Sequence, residues 1–273
     1  MRQLCSFEVI QAEKLFEQSV YQNLHLGWLD LIDISRNYGT VWLAKYDERF
    51  YMTVLQPNCP DTVWLHSLYC SGSPADYPLK DQLRKMLPPE IRFVYTISSN
   101  DWYSELLRKN GFMVCDEIVQ FETGDIQIPE IRDPLPQQEF FAGDIPEVYE
   151  ICESAFPSLW RMGIVEFRKA WDTANYRKVL ILNDRIAGYI LADISAGQCD
   201  IFRLATDPNY QHRGAAYSML RHLVSFCREQ GIAGFSVNTD RMNSIAYRFY
   251  EKLNFQKTDS IYPVFFCRLN EQS

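Results

Sequence analysis

The sequence of 273 residues lacks the spacings that mark metal sites and disulfide frameworks. Its eight cysteines form no C-x-x-C pair, and its four histidines are scattered. Neither a metal site nor a disulfide framework is therefore indicated, and we expect no metal cofactor. Several cysteines stand inside apolar stretches, so we expect buried free thiols in a reducing compartment.

A long apolar run is also missing. No segment approaches the roughly 20 apolar residues that span a bilayer, and no apolar signal-peptide core follows Met1-Arg2-Gln3-Leu4. We therefore expect a cytoplasmic protein without a membrane partner. Basic residues are not in excess, because 35 acidic residues outnumber 27 basic ones and give a net charge of -8. That balance argues against a nucleic-acid partner and mildly favours cationic substrates.

The stretch Cys199–Phe255 carries the strongest pattern: strand, turn, amphipathic helix, strand, helix. The predicted strand Cys199–Thr206 leads through a turn into a helix over Gln211–Glu229. A strand over Gly234–Asn238 and a helix over Asn243–Leu253 follow. The turn before the first helix lacks both G-x-G-x-x-G and G-K-[ST], which disfavours a dinucleotide-binding fold and a P-loop.

That turn, Gln211-His212-Arg213-Gly214-Ala215-Ala216, has the composition of an anion-binding site. Backbone N–H groups at a helix start have no partner within the helix, and the helix dipole is positive there. Gly214 permits close approach of a ligand, the two alanines keep the surface low, and Arg213 adds a positive charge. The turn is thus suited to holding a pyrophosphate.

Two spaced patterns in this stretch carry a family resemblance. They are Gln211-x-x-Gly214-x-Ala216, and Asn243-x-x-Ala246-x-x-x-Tyr250 followed by Asn254-Phe255. The first is similar to the [QR]-x-x-G-x-[GA] acyl-CoA signature, and together they resemble the GCN5-related N-acetyltransferases, the GNAT superfamily. The family usually has Gly-Phe at the last two positions. Asparagine departs from it mildly, because it tolerates a left-handed backbone better than other non-glycine residues.

The resemblance implies acetyl-CoA as co-substrate and a set of residues that bind it. In the family, the N–H groups of the turn hold the CoA pyrophosphate, and an asparagine on the second helix contacts CoA. The strand before the turn separates from its neighbour, pairs with the pantetheine arm and polarises the thioester carbonyl. The matching residues here are Leu204, Ala205, Thr206, Gln211, His212, Arg213, Gly214, Ala215, Ala216 and Asn243.

The same resemblance implies two catalytic residues. Tyr250 resembles the general acid that protonates the leaving thiolate, and core packing beside Tyr247 and Phe249 is the alternative. Asp200 lies eleven positions before Gln211, on the strand where some members carry a catalytic carboxylate. For proton removal from the amine, water is the alternative to Asp200, which is otherwise a surface carboxylate.

An internal duplication is predicted, because both halves have the order helix, three strands, helix, strand, helix, strand. Leu107–Phe112 is similar to Tyr250–Phe255. We predict the fold class α/β (α+β) with two GNAT-like units, each a mixed, mostly antiparallel twisted sheet flanked by helices. The units are residues 1–123 and 137–273, joined by the linker 124–136.

The first unit lacks the acyl-CoA motif. At the place of the turn it has Asp76 between Pro74 and Pro78, where proline removes N–H donors and aspartate repels phosphate. Leu107 takes the position of Tyr250. We therefore predict a degenerate first unit without a cofactor.

The ends of both units are expected to be regular. A helix over Cys5–Leu26 should open the first unit, and a strand ending at Phe121 should close its sheet. A strand over Tyr262–Leu269 should close the sheet of the second unit.

The predicted function is that of an enzyme, an acetyl-CoA-dependent N-acetyltransferase. It transfers the acetyl group to a primary amine of a small molecule or peptide by direct attack in a ternary complex, as a monomer or homodimer. The alternative is a non-catalytic acyl-CoA-binding or sensor protein, since Tyr250 favours catalysis while the base is ambiguous. Arg203 either orients an acidic group of the substrate or faces solvent, and Trp160 is expected to pack near the acceptor.

Overall fold

The structure, a computed structural model, describes residues 2–4, 19–23, 40–130 and 135–269. Its strands are β1 (Arg2–Leu4), β2 (Tyr21–Asn23), β3 (Thr40–Tyr46), β4 (Arg49–Cys59), β5 (Thr62–Cys70), β6 (Phe93–Ile97), β7 (Met113–Thr123), β8 (Gln137–Glu139), β9 (Tyr176–Leu182), β10 (Arg185–Ser195), β11 (Gln198–Thr206), β12 (Gly234–Asp240) and β13 (Gln256–Arg268). Its α-helices are α1 (Leu79–Met86), α2 (Asp101–Lys109), α3 (Ile145–Ala155), α4 (Ile164–Thr173), α5 (Ala215–Glu229) and α6 (Ser244–Lys252). None of these helices combines the length and apolar character needed to cross a membrane.

The chain divides into two compact units that differ from the predicted ranges. The first unit takes Met1–Glu117 together with Tyr262–Ser273, and the second takes Ile118–Ile261. The difference arises from β7 and β13, the two strands expected to close the sheets of the first and second unit. Val264–Arg268 of β13 pairs with β6 in the first unit, and Ile118–Thr123 of β7 pairs with β12 in the second. The expectation that β7 closes the first sheet and β13 the second is therefore wrong.

The sheet of the first unit has the order β1-β3-β4-β5-β6-β13, with β2 also pairing with β5. A hairpin joins β3 and β4, and its two turn residues, Asp47 and Glu48, have φ angles of 47° and 59°. Positive φ at both positions is the requirement of a type I′ turn. Buried side chains of α1 and α2, such as Leu83 and Tyr103, pack against apolar residues of β4 and β5 to form the core.

The sheet of the second unit has the order β8-β9-β10-β11-β12-β7, in which β11 and β12 run parallel. Successive residues of β10 point to opposite faces. Ile190 packs into a core with α5 and α6, whereas Tyr189 and Leu191 pack into another core with α3 and α4. Helices thus cover both faces of a mixed, mostly antiparallel sheet, which confirms the predicted fold class.

The ends of α2 and α6 share one backbone geometry. Gly111 follows α2 with φ 74°, and the next N–H donates to the carbonyl of Leu107 at 3.0 Å. Asn254 follows α6 with φ 68°, and the next N–H donates to the carbonyl of Tyr250 at 3.1 Å. Both are Schellman ends. Asn254 therefore adopts the expected left-handed conformation, and Leu107 is the counterpart of Tyr250.

The predicted linker and the predicted first helix both differ from what the sequence indicated. The predicted linker packs on the second unit, where Ile126 is buried in the core and the Leu135 N–H donates to the Ser218 hydroxyl at 3.1 Å. Within the predicted helix Cys5–Leu26, Tyr21–Asn23 forms strand β2 instead. The remainder of that helix, apart from residues 19 and 20, lies outside the described residues.

The cysteines described in full are reduced thiols, as expected. Five of them are buried, and Cys115 is exposed. The buried ones are Cys70, Cys152, Cys199, Cys227 and Cys267. Cys115 is thus an exception to the expected burial.

Candidate active site

Two neighbouring parallel strands separate within the sheet of the second unit. β11 and β12 are paired over four residues, which end at Ile201 and Val237. Beyond this point β11 continues on β10 as far as Thr206, while β12 continues on β7. A bulge at Phe202 shifts the register between β10 and β11 at the same place, and a bulge bends its strand. The edge of β11 from there to Thr206 pairs with no described strand on the side of β12, so its polar groups are open to a ligand.

The separation opens into a cavity of about 610 Å³. Pockets that bind small molecules have volumes of roughly 300–1,000 Å³. The lining residues are Ala155, Phe156, Leu204, Ala205, Thr206, Gln211, His212, Gly214, Ala215, Ala216, Tyr217, Asn243, Ile245, Ala246, Arg248, Phe249, Tyr250 and Lys252. All the residues predicted to bind cofactor line this cavity except Arg213. Of the two predicted catalytic residues, Tyr250 lines it and Asp200 does not.

Gly214 sets the geometry of the turn before α5. Its φ of 80° lies in the left-handed region, which side-chain-bearing residues rarely adopt, and a Cβ at this position would meet no atom within 4 Å. The first helical hydrogen bond runs from the Ser218 N–H to the Gly214 carbonyl at 2.9 Å, and no side chain caps the helix. The N–H groups of Ala215, Ala216 and Tyr217 are therefore left for a ligand in the cavity.

The polar residues of the turn take separate positions. His212 lines the cavity and has φ 61°. Gln211 lines it with its amide nitrogen 3.5 Å from the Thr206 carbonyl. Arg213 places its guanidinium carbon 5.7 Å from the centre of the Tyr210 ring and does not line the cavity. The positive charge of Arg213, which was expected at the anion site, therefore lies against Tyr210 and outside the cavity lining.

Helix α6 contributes Asn243, at its cap, and Tyr250. The Asn243 side-chain oxygen accepts the Ala246 N–H at 3.0 Å, so its amide nitrogen is the group left to donate. Tyr250 is 6% exposed and contacts the rings of Phe249 and Phe255. Its hydroxyl forms no hydrogen bond with another residue of the described ranges. Burial raises the pKa of the Tyr250 phenol, which keeps it protonated at neutral pH.

Asp200 lies in a row of polar residues on neighbouring strands. It stands beside Asp193 on β10 and Ser236 on β12, and Ser236 stands beside Glu122 on β7. The Ser236 hydroxyl donates to the Asp200 carboxylate. Partial desolvation, followed by the charges of Asp193 and Glu122, raises the pKa of Asp200. About 13 Å of strand separates Asp200 from Leu204 at about 3.3 Å per residue, so its carboxylate is remote from the cavity.

We expect Asp200→Asn to raise the melting temperature at pH 7. The raised pKa means that folding disfavours the ionised carboxyl, so wild-type stability falls as pH rises from about 3.9 through the folded-state value. The gain should be largest near neutral pH and should fade below about pH 3.9. Thermal denaturation across this range measures it. Asp172→Asn, on an exposed position of α4, controls for the lost charge, and an equal gain there would contradict the prediction.

Several lining residues are absent from the predicted set. Arg248 and Lys252 provide cations one helical turn apart on α6, and Phe249 contacts Tyr217 with ring centres 4.9 Å apart. Arg248, Phe249 and Lys252 follow Ile245, which also lines the cavity, by three, four and seven positions, and this helical spacing is the signal that points to the wall. Phe156 comes from the residue after α3, remote in sequence, and no local pattern indicates it.

The first unit contains the same pair of separating strands, but β2 occupies the separation. β5 has nine residues, as β11 has, and its parallel pairing with β6 covers its first three. β2 then pairs antiparallel with Leu68–Cys70, the last three residues of β5. The corresponding residues of β11 are Leu204–Thr206, which line the cavity of the second unit. The Val20 N–H adds a further bond to the Cys70 carbonyl at 3.0 Å.

Asn23 anchors β2 to the end of β6. It is fully buried, its amide nitrogen donates to the Ile97 carbonyl at 3.1 Å, and its oxygen accepts the Ser99 N–H at 3.3 Å. The Asn100 amide nitrogen donates to the Gln22 carbonyl at 3.3 Å. The strand edge that is open in the second unit is therefore paired with the chain's own backbone in the first.

Comparison with known sequences identifies relatives of the second half of the chain. Residues 145–255 match the sequence model of the "Acetyltransferase (GNAT) family". The "[Ribosomal protein bS18]-alanine N-acetyltransferase" of Escherichia coli (strain K12) is 25% identical over 114 residues, which are 42% of this chain and 76% of that protein. The protein of the same name from Haemophilus influenzae is 26% identical over 118 residues, 43% of this chain and 79% of that protein.

Comparison with solved structures covers both units. A tandem GNAT protein from the clavulanic acid biosynthesis pathway has a TM-score of 0.66 at 9% identity, over 99% of this chain and 98% of that one. A GCN5-related N-acetyltransferase from Sphaerobacter thermophilus has a TM-score of 0.57 at 14% identity, over 88% of this chain and 86% of that one. At these identities the similarity concerns the fold.

Proposed function

Through residues 145–255 this chain belongs to the GNAT superfamily of acetyltransferases, and we propose that its second unit transfers an acetyl group from acetyl-CoA to a primary amine. One observation carries the proposal. In a single cavity, an open strand edge at Leu204–Thr206 meets the uncapped start of α5. A strand edge suits the amide groups of a pantetheine arm, and a helix start suits a pyrophosphate.

The lining residues fit acetyl-CoA in shape and charge. Open space at the missing Cβ of Gly214 leaves room for phosphate oxygens beside the free N–H groups. Arg248 and Lys252 supply positive charge in the same lining. When bound, acetyl-CoA provides the activated thioester. The backbone at Leu204–Thr206 is the proposed donor to the thioester carbonyl oxygen, where negative charge develops during attack.

Tyr250 is the proposed donor to the leaving sulfur. Full proton transfer from a phenol with a raised pKa to a thiolate, whose conjugate acid has an ordinary pKa of about 8.5, is unfavourable. The contribution that we assign to Tyr250 is therefore a hydrogen bond that strengthens as charge develops on sulfur.

Water is the proposed carrier of the proton lost by the amine. Asp200, the predicted alternative, is about 13 Å of strand away from Leu204 at about 3.3 Å per residue. The lining residues, all from the described part of the chain, include no aspartate or glutamate. This composition also favours the second candidate function, a non-catalytic acyl-CoA-binding or sensor protein.

A single cofactor site per chain is part of the proposal. β2 pairs with Leu68–Cys70 and occupies the strand edge that would otherwise receive a pantetheine arm. The first unit is therefore proposed to be a degenerate GNAT unit that binds no acyl-CoA. Its role in this scheme is structural.

Calorimetric titration with acetyl-CoA, followed by an assay of amine-dependent thiol release, tests the proposal. We expect about one equivalent bound per chain, as the one open strand edge implies, and thiol release with at least one amine. Binding without release from any amine would favour the sensor. Two equivalents would overturn the degenerate first unit, and no binding would overturn both functions.

A further inference from the structure

Arg203 follows the bulge in β11 and lies on the face of the sheet that α3 covers. The register places Arg203 opposite Leu191 and leaves Phe202 as the extra residue. A bulge redirects the side chains next to it. The guanidinium carbon of Arg203 lies 4.6 Å from the centre of the Phe156 ring, and Phe156 lines the cavity. Arg203 thus lies directly behind one wall of the proposed active site.

Trp160 holds Arg203 in this position and also reaches the other separated strand. The Arg203 Nη2 donates to the Trp160 carbonyl at 3.3 Å. The Trp160 indole N–H donates to the Asp240 carboxylate, at the end of β12, at 3.1 Å. The second oxygen of Asp240 accepts the Met242 N–H at 2.6 Å. Asp240 is therefore satisfied by other donors, and Trp160 bridges β11 and β12 where they separate.

The hydrogen-bonding capacity of Arg203 is largely unused. A guanidinium has five N–H donors, and one of them is accounted for by Trp160. The Arg203 Nε is buried without a partner, and no carboxylate of the described residues forms an ion pair with Arg203. The neighbouring hydroxyl of Tyr189 lies near both Arg203 and the Cys152 thiol, and it too is buried without a nitrogen or oxygen partner among the described residues. Native proteins rarely leave such donors unsatisfied, because each costs free energy when buried.

We infer that Arg203 binds an anionic group of the amine acceptor, a carboxylate in the simplest case, and so selects amines that carry one. The inference rests on the proposed function, whose acceptor it defines by chemical class. The chain has a net charge of -8, which repels an anionic acceptor. The Arg203 guanidinium, which has no carboxylate partner among the described residues, offsets this repulsion near the cavity. Phe156 and Trp160 fix the guanidinium beforehand, so little side-chain entropy is lost on binding.

Matched pairs of acceptors test this assignment. Glycine, β-alanine, 4-aminobutyrate and alanyl-alanine are each compared with their carboxamides as acceptors for the wild type, Arg203→Gln and Arg203→Lys. The readout is the ratio of kcat/KM for acid over amide. The change of this ratio between proteins cancels the differing basicity of the amines. Arg185→Gln, at the exposed start of β10, controls for the loss of one positive charge.

We expect Arg203→Gln to lower the acid-to-amide ratio by about tenfold or more, mainly through KM, since a hydrogen bond to a charged group contributes roughly 1.5–3 kcal/mol. Arg203→Lys should lower it less, because the charge remains while the planar fork is lost. The Arg185→Gln ratio should equal that of the wild type. A purely structural Arg203 would lower both rates together and leave the ratio unchanged, which would overturn the inference while the transferase proposal stands. Acetylation of no amine by the wild type would overturn both.

Discussion

Aspartate in place of Gly214 is expected to abolish acetyl-CoA binding, while asparagine at the same position should retain a measurable part of it. Both residues tolerate a left-handed backbone better than other side chains do, so φ 80° is strained to a similar degree in the two variants. Both side chains also enter the open space beside the helix start. The variants differ in one negative charge, which the aspartate places where the pyrophosphate is proposed to bind.

The size of the difference follows from the interactions lost. Repulsion between two anions at the start of α5 opposes both the dipole and the charge-assisted hydrogen bonds of the free N–H groups. Loss of two such bonds, at roughly 1.5–3 kcal/mol each, raises the dissociation constant by about 100-fold or more. For asparagine we expect a rise of about tenfold, which corresponds to the weakening of one such hydrogen bond by steric displacement of the phosphate. Titration calorimetry measures both, and melting temperatures confirm folding. Equal affinities of the aspartate and asparagine variants would place the pyrophosphate elsewhere.

Tyr250→Phe is expected to lower kcat by about 100-fold, because a hydrogen bond to a charged group such as the leaving sulfur contributes roughly 1.5–3 kcal/mol. The ring remains, so the contacts with Phe249 and Phe255 and the packing of α6 should persist. The lost group is a hydroxyl that has no hydrogen-bond partner among the described residues. Removal therefore leaves no other group unsatisfied, and the stability of the fold should change little.

Tyr247→Phe is the matched control for this prediction. It removes a phenolic hydroxyl from the same helix, on a ring that contacts Phe121 and does not line the cavity. Steady-state rates and acetyl-CoA affinity should be measured for both variants. We expect unchanged affinity in both and lowered turnover in Tyr250→Phe alone. Equal turnover of the two variants would reduce Tyr250 to a packing residue.

The sequence predicts the features that local chemistry determines. Asp47, Asn183 and Asp184 are of residue types that tolerate positive φ, and in the hairpin turns Asp47-Glu48 and Asn183-Asp184 all four residues have it. The end of α5 follows from Gly231, which has φ 74°. The turn at Gly214 follows from a motif of six residues, and all of them except Arg213 line one cavity because one strand and one helix start hold them. Each of these features is determined by residues that lie within a few positions of one another in the chain.

Features that depend on distant pairing could not be predicted in this way. A strand ending at Phe121 has the same pattern in whichever sheet it pairs, so the sequence could not assign β7 to the second unit. Tyr21–Asn23 lies in a stretch with helical periodicity, yet pairing with Leu68–Cys70 prevails. Phe156 reaches the cavity, and Arg203 reaches Phe156, through packing between elements that are remote in sequence. Asp200 matched a family position on one strand, while the place along that strand where the cavity opens depends on where its pairing with β12 ends.

The exchanged closing strands have a consequence for synthesis on the ribosome. Residues 118–261 form one unit without interruption, so this unit is complete before the chain ends. The first unit cannot complete its sheet until β13 has been synthesised, because Val264 of β13 lies 167 positions after its partner Ile97. Until the last residues emerge, the outer edge of β6 has no strand beside it, and an open edge favours association with other chains. A premature stop shortly after residue 261 would therefore damage the part of the protein that was translated first.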